Sequence, residues 1–296
     1  PMHIYFLLPC IEAIKYPGAS AVMHSYAGAL ACAARLGCRI ETVIASPTNI
    51  SWEVNRELIA ALPSGSRLIV CGAWFRDLFE TIHQCRHRVV YIDMQAETAS
   101  CYRQWMAEWP QIVIDRQQSI IDLIAELAAR GKRRIALLHN FSHCRNPFLL
   151  GYHEGLRRHH LADTPDLLVH SDATEQVAQY EFLHLLGFRD EQPFDTVITA
   201  NNDQARGVIV QLRRNGIATP EEVTVASLNM TLEAPGAAPF IQLSLPFQEA
   251  GEHAVEFFHN NEDRKVILQA RIEFPAEAGV TNHPMSNKNP LKGEIK

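Results

Sequence analysis

A chain of 296 residues, 47% apolar and 20% charged, is long enough for two domains of ordinary size and has a globular composition. Its formal charge of -6 excludes the basic excess with which nucleic-acid binders usually grip a phosphate backbone, so DNA contact would need a part these residues do not contain. Seven cysteines (Cys10, Cys32, Cys38, Cys71, Cys85, Cys101 and Cys144) are odd in number and scattered through apolar segments, which fits reduced thiols in a cytoplasmic setting better than a disulfide framework.

The chain opens on HIYFLLP, a strand pattern near 3–9 rather than a basic, apolar, small-residue export signal. A helix near 20–36, a strand near 39–45, a helix near 51–61 and a strand at 67–71 follow. Next come a short helix near 75–84, strands at 88–93 and near 111–114, and a helix at 117–130 that Gly131 ends. RRIALLH is the next strand, and another spans 167–170. Segment 239–282 breaks the rhythm with extended, helical and again extended stretches, which suits a return across two lobes. Strands alternating with helices predict parallel sheets with crossover helices. Their number exceeds one sheet of about five or six strands, so two α/β lobes are expected. The polar end, 283–296, reads as a disordered tail. No apolar run approaches the roughly 18 residues that span a membrane.

Residues 195–229 form one complete strand, helix, strand unit. Val197 and Ile198 belong to a short strand, Asn201 and Asn202 end it, and Ala205, Val208, Ile209 and Leu212 recur at helical spacing until Gly216 stops the helix. A second strand, Val223 to Leu228, finishes at Asn229. In an open parallel sheet a ligand sits outside the carboxyl ends of the strands, so Asn201 and Asn229 are expected on one rim.

The segments GKRRIALLH at 131–139, Gly151 with YHEGLRRHHL behind it, TANNDQARG at 199–207, NGIATPEEVTVASLN at 215–229 and PFIQLSLPFQEAGEHAVEFF at 239–258 resemble the effector-binding core of the lactose-repressor/galactose-repressor (LacI/GalR) transcription regulators. The resemblance covers nearly the whole chain and is weakest before residue 60. It implies an α/β fold of two periplasmic-binding-protein-like lobes, each a parallel sheet flanked by helices, joined by three crossovers around a ligand cleft. It also implies a homodimer. A DNA-binding helix-turn-helix would normally precede such a core, and none is expected within this chain.

The ligand positions depart from that family. Its usual first Asn is kept as Asn201, but its Asp falls on Asn202. The Asp pair after the following strand falls on Asn229 and Met230, and the Arg before the next helix's glycine falls on Phe148. Asp115 alone keeps a charge at a family contact position. Charge-assisted bonds to sugar hydroxyls are each worth about 1.5 to 3 kcal/mol, so their loss points to an effector less polar than a free hexose, or to a site that senses little. Tyr16, Trp74, Phe148 and Phe247 offer aromatic faces for stacking, and Arg145 is a candidate for the missing guanidinium.

Each of these positions has a structural alternative. Asn201 and Asp115 are also good helix caps, Asn229 a turn residue, Phe148 a packing residue, and Asp172 either a cleft residue or a helix start. His83 and His87 in HQCRH, at i and i+4, would share a helical face, and HNFSHC at 139–144 is a second such set. Fourteen histidines make chance clusters common, so no metal is expected. The chain shows no nucleophile elbow and no phosphate loop, so neither an enzyme nor a cofactor is expected.

The expected organisation is one lobe of 1–117 and 245–267 and another of 118–244 and 268–282, with apolar helix faces near 20–36 and 248–258 as the dimer contact. The expected function is small-molecule sensing between the lobes to control DNA binding. A solute-binding protein serving a membrane transporter would use the same fold. It would be monomeric and carry a signal peptide, and a mature exported protein stripped of that signal fits the same sequence. A stand-alone sensor without DNA-binding heads is the third possibility.

Overall fold

The computed structural model describes residues 1–10, 20–46, 48, 53–93, 102–106, 108–141, 144–172, 174–187, 189–190, 193–230, 233 and 238–275. The first lobe is built from β1 (His3–Leu8), α1 (Ser20–Leu36), β2 (Arg39–Ile44), α2 (Arg56–Ala61), β3 (Arg67–Cys71), α3 (Phe79–Gln84), β4 (Arg88–Asp93), α4 (Arg103–Met106) and β5 (Gln111–Ile114). The second contains α5 (Arg116–Ala129), β6 (Ile135–His139), α6 (Pro147–Arg158), β7 (Leu168–His170), α7 (Glu175–Gly187), β8 (Thr196–Thr199), α8 (Asn202–Arg214), β9 (Thr224–Ser227) and β10 (Ile241–Ser244). The chain then returns through α9 (Phe247–Asn260) and β11 (Lys265–Leu268) to the first sheet, and ends its described part with β12 (Arg271–Glu273) in the second.

The sheets run β11-β5-β4-β3-β1-β2 and β12-β10-β9-β8-β6-β7. All pairings are parallel except β10 with β12, which is antiparallel, a departure from the all-parallel expectation. Central parallel strands are covered on both faces and therefore read as continuous apolar runs. IALLH of β6 and TVIT of β8 are buried throughout. One face of the first sheet packs Ile4, Phe6 and Ile69 against α1 and α9, while the other sets Leu7, Val70 and Tyr91 against Phe75, Phe79 and Ile82. The second sheet is likewise sandwiched, between α5 with α6 and α7 with α8.

Three crossovers join the lobes, after β5, after β10 and after β11. Asp115 at the first donates its N–H to the Leu268 carbonyl near the third at 3.0 Å, and Leu245 at the second packs against cores of both lobes. The hinge strands are thus tied to one another.

Two expectations are corrected. The apolar faces of α1 and α9 are spent on each other and on the first sheet, because Val22, Ala29, Cys32, Ala254 and Val255 share one core, so they are not a free dimer surface. His83 and His87 do not share a helical face, because α3 ends at Gln84 and Arg86 adopts a φ of 54°; the buried His87 ring instead meets the Ile59 carbonyl through Nε2 at 3.0 Å. Helix α2 starts at Arg56 because Asn55 caps it, its side chain accepting from the Leu58 N–H. The expected tail at 283–296, together with Tyr16, Cys101 and His143, lies outside the described residues.

Candidate functional site

The carboxyl ends of β6, β7, β8 and β9 form the second lobe's rim, which carries three of the expected ligand residues, Asp172, Asn201 and Asn229. The Asn201 side chain accepts from the Gln204 N–H at 2.9 Å and caps α8, satisfying a backbone donor that the helix itself cannot. Gln204, fully buried, receives the Ala200 N–H on Oε1 at 2.9 Å and donates through Nε2 to the Asp172 carbonyl at 2.9 Å. Asn201 and Asp172 are therefore joined through Gln204, with the Asp172 side chain exposed. Asn229 adopts a φ of 50°, a left-handed conformation that Asn tolerates better than most residues.

The Asn229 amide clamps the Glu233 backbone. Its Oδ1 accepts from the Glu233 N–H at 3.0 Å and its Nδ2 donates to the Glu233 carbonyl at 3.1 Å, while Gln242 Nε2 donates to that same carbonyl at 3.0 Å. Asn202 is buried, accepts from Ser227 Oγ at 2.7 Å and donates to Glu233 Oε2 at 3.1 Å. Arg206 completes the network with bonds to both carboxylate oxygens of Glu233 and to Asp203 Oδ1. These donors, Arg206 first, hold the Glu233 carboxyl below the usual carboxylate range, and Arg206 is raised in turn, chiefly by Glu233. Glu233, Arg206, Gln204, Ser227 and Gln242 were not singled out from the sequence. The available signal was polar Ser227 and Gln242 inside otherwise apolar strands.

At the end of β6, His139 is buried against Phe141 (5.0 Å between ring centres) and meets the edge of His170 at 5.4 Å. Its Nδ1 accepts from the Phe141 N–H at 3.1 Å, which places the neutral ring's proton on Nε2. Burial, then the charges of His170 and His153, push its pKa down to about 4.

The other expected residues are dispersed. Phe148 is fully buried and stacks on Phe141 at 6.0 Å, so in this conformation its ring has no face open to a ligand. Arg145 is exposed in the turn before α6. Trp74 is half-buried in the first lobe and donates Nε1–H to Ser46 Oγ at 3.0 Å. Asp115 caps α5 by accepting from the Gln118 N–H at 3.0 Å. Phe247 is buried beneath the guanidinium of Arg116, 5.7 Å from its ring centre. Arg116, itself buried, is a hinge cation that the sequence reading passed over.

A groove of about 660 Å³ links the rim to the hinge. Asn229, Glu233 and Arg271 line it from the second lobe, and His24, Gln248 and Glu249 from the first. A cavity of about 780 Å³, lined by His83, Arg88, Trp109 and Asp263, lies instead at the amino ends of β4 and β5. That is the opposite edge from the one where open α/β sheets bind ligands, so the smaller groove is the candidate site.

The model of the periplasmic binding protein-like domain matches residues 124–271, half of the chain. The chain belongs to this family. The HTH-type transcriptional regulator AscG of Escherichia coli K12 is 27% identical over 138 residues, which span 46% of this chain and 40% of that protein. The chain thus matches under half the length of this curated relative. Among solved structures, a LacI-family regulatory protein from Chloroflexus aggregans superposes with a TM-score of 0.72 at 18% identity, covering 93% of this chain and 98% of that one. A LacI-family regulator from Enterococcus faecium with bound ribose gives a TM-score of 0.63 at 16% identity, covering 92% and 96%. The LacI/GalR resemblance and the two-lobed fold are borne out. Among the described residues no helix is long and apolar enough to cross a membrane.

Proposed function

We propose that this chain is the effector-sensing core of a LacI-type transcription regulator. A small sugar-like molecule binds between lobe 1–117 with 245–267 and lobe 118–244 with 268–282, shifts the angle between them, and a homodimer passes that shift to a DNA-binding helix-turn-helix carried outside these residues. The observation that carries the reading is the groove walled by both lobes, with Glu233 and Asn229 on one side and His24 and Gln248 on the other. A ligand touching both walls makes different contacts in the open and closed states, and only that difference can move a hinge. The ribose bound to the Enterococcus faecium regulator supports a sugar-like effector.

The test is thermal unfolding against neutral sugars, sugar phosphates, nucleosides and aromatic glycosides, with small-angle scattering on any hit. A ligand at a hundredfold its dissociation constant stabilises by about 2.7 kcal/mol. The reading expects a hit that also compacts a dimer. A hit that leaves the lobe angle unchanged would refute hinge signalling, and a monomer at all concentrations would favour a transport receptor.

A further inference from the structure

The groove's rim holds an ionised carboxylate that its neighbours position without enclosing. Glu233 sits between two asparagines that both serve it: Asn229 fixes its backbone through two bonds, and Asn202 donates to Oε2. Gln242 adds a third bond to the backbone, on the carbonyl. Glu233 Oε1 accepts from Arg206 Nη1 at 3.1 Å, whereas Glu233 Oε2 accepts from both Asn202 and Arg206. A carboxylate offers about four lone-pair sites, so Oε1 retains one toward an incoming donor. The Glu233 side chain is 38% exposed and lines the groove, so a ligand can reach that site.

We propose that Glu233 is the ligand-contacting carboxylate of this site, accepting a hydroxyl of a neutral polyhydroxy compound, and that Asn202, Asn229, Arg206 and Gln242 are its positioning residues. This rests on the effector-sensor reading above. Arg206 compensates the carboxylate's charge, so the ligand needs none of its own. The far wall carries Glu249, Glu252 and Glu256, of which Glu256 is paired with Arg35 at 3.1 Å, and Arg271 lies opposite; the lining stays net negative and so disfavours a phosphorylated ligand. A neutral sugar is therefore preferred over a sugar phosphate. The ligand's hydroxyl O–H donates to Oε1, giving a charge-assisted bond of the strong kind.

The experiment is titration calorimetry of the full chain with ribose, glucose, cellobiose, glucosamine and glucose 6-phosphate, repeated on Glu233→Gln and Arg206→Gln. At least one neutral sugar should bind the native protein, and glucose 6-phosphate should not. Glu233→Gln keeps the shape and should weaken that sugar about tenfold to a hundredfold. Arg206→Gln leaves the carboxylate uncompensated and should shift preference from glucose toward glucosamine, which a purely structural staple would not do. Unchanged affinity in Glu233→Gln, or unchanged selectivity in Arg206→Gln, overturns the role of Glu233 while leaving the sensor intact. Stabilisation by sugar phosphates but by no neutral sugar overturns the neutral polyhydroxy class alone. Absence of any stabilising small molecule overturns the sensor reading as well.

Discussion

Where the first lobe approaches the groove, helices α1 and α9 meet backbone to backbone; where the second lobe approaches it, side-chain hydrogen bonds hold the rim. A Cβ added at Gly28 would lie 1.9 Å from the Gln248 carbonyl oxygen, and one at Gly251 would lie 1.8 Å from that of Ser25. Gln248 lines the groove, so this glycine contact sets the position of the first wall. The second wall depends on Asn202, Ser227, Asn229 and Arg206 gathering around Glu233. Backbone contact leaves no rotamer to adjust, whereas hydrogen-bonded side chains can exchange partners. The first wall should behave as a fixed template and the second as the part that adapts to a ligand.

The largest effect should come from breaking the template. Gly251→Ala forces α9 off α1, because the obstructing atoms are backbone, and we expect a loss of about 3 kcal/mol, at the upper end of overpacking costs. Gly155→Ala on α6 is the control, since its Cβ would meet only side-chain atoms of Ile124, the nearest at 2.8 Å. Ile124 can shift, and Ala gains about 1 kcal/mol of helix propensity over Gly, so that change should be nearly neutral. Urea midpoints compare the two directly. Equal losses would mean that the α1–α9 contact is no stiffer than the α5–α6 contact.

A somewhat smaller effect is expected from acid at the rim. The unfolded chain titrates His139 near its ordinary value, while the folded chain resists protonating it until a pH of about 4. Between those values the unfolded state binds more protons, so stability is complete above about pH 6.5 and falls with acidification. The slope is at most about 1.4 kcal/mol per pH unit, and the loss reaches about 2 kcal/mol by about pH 4.5. Thermal melts from pH 7 to 4.5 should show that slope, and His139→Asn, which keeps an acceptor for the Phe141 N–H, should flatten it. A slope that survives the substitution would assign the acid sensitivity to other groups.

The regular part of the architecture was legible because period and punctuation carry it. The unit from Thr196 to Asn229 could be read from an apolar strand, a capping Asn201 and a terminating Gly216, whose φ is 68°. The candidate site was less legible because its contacts are long-range and irregular. Glu233 belongs to none of the helices or strands, and its partners Asn202 and Arg206 are 31 and 27 positions away. Phe148 and Phe247 show the complementary difficulty: a ring that stacks on a ligand and a ring that fills a core look alike in sequence, and both of these are buried among neighbours. Asn229 was noticed as a rim residue, but that its amide holds Glu233 follows only from the hydrogen bonds of the folded chain.

The finest distinction between the walls concerns Asn201, whose side-chain oxygen is spent on the Gln204 N–H. If that bond is its main contribution, Asn201→Ala should cost about 1 kcal/mol through the lost helix cap. Asn201→Asp should keep the cap, since a carboxylate accepts the same N–H and suits the positive end of α8. Stability should therefore separate Ala from Asp, while ligand affinity at saturating folding conditions should change little in either variant, because Glu233 rather than Asn201 lines the groove. A large loss of affinity in Asn201→Asp with stability intact would return Asn201 to the ligand's contacts and move the binding site along the rim toward β8. The two measurements together decide whether the second wall recognises its ligand at the end of β8 or through Glu233.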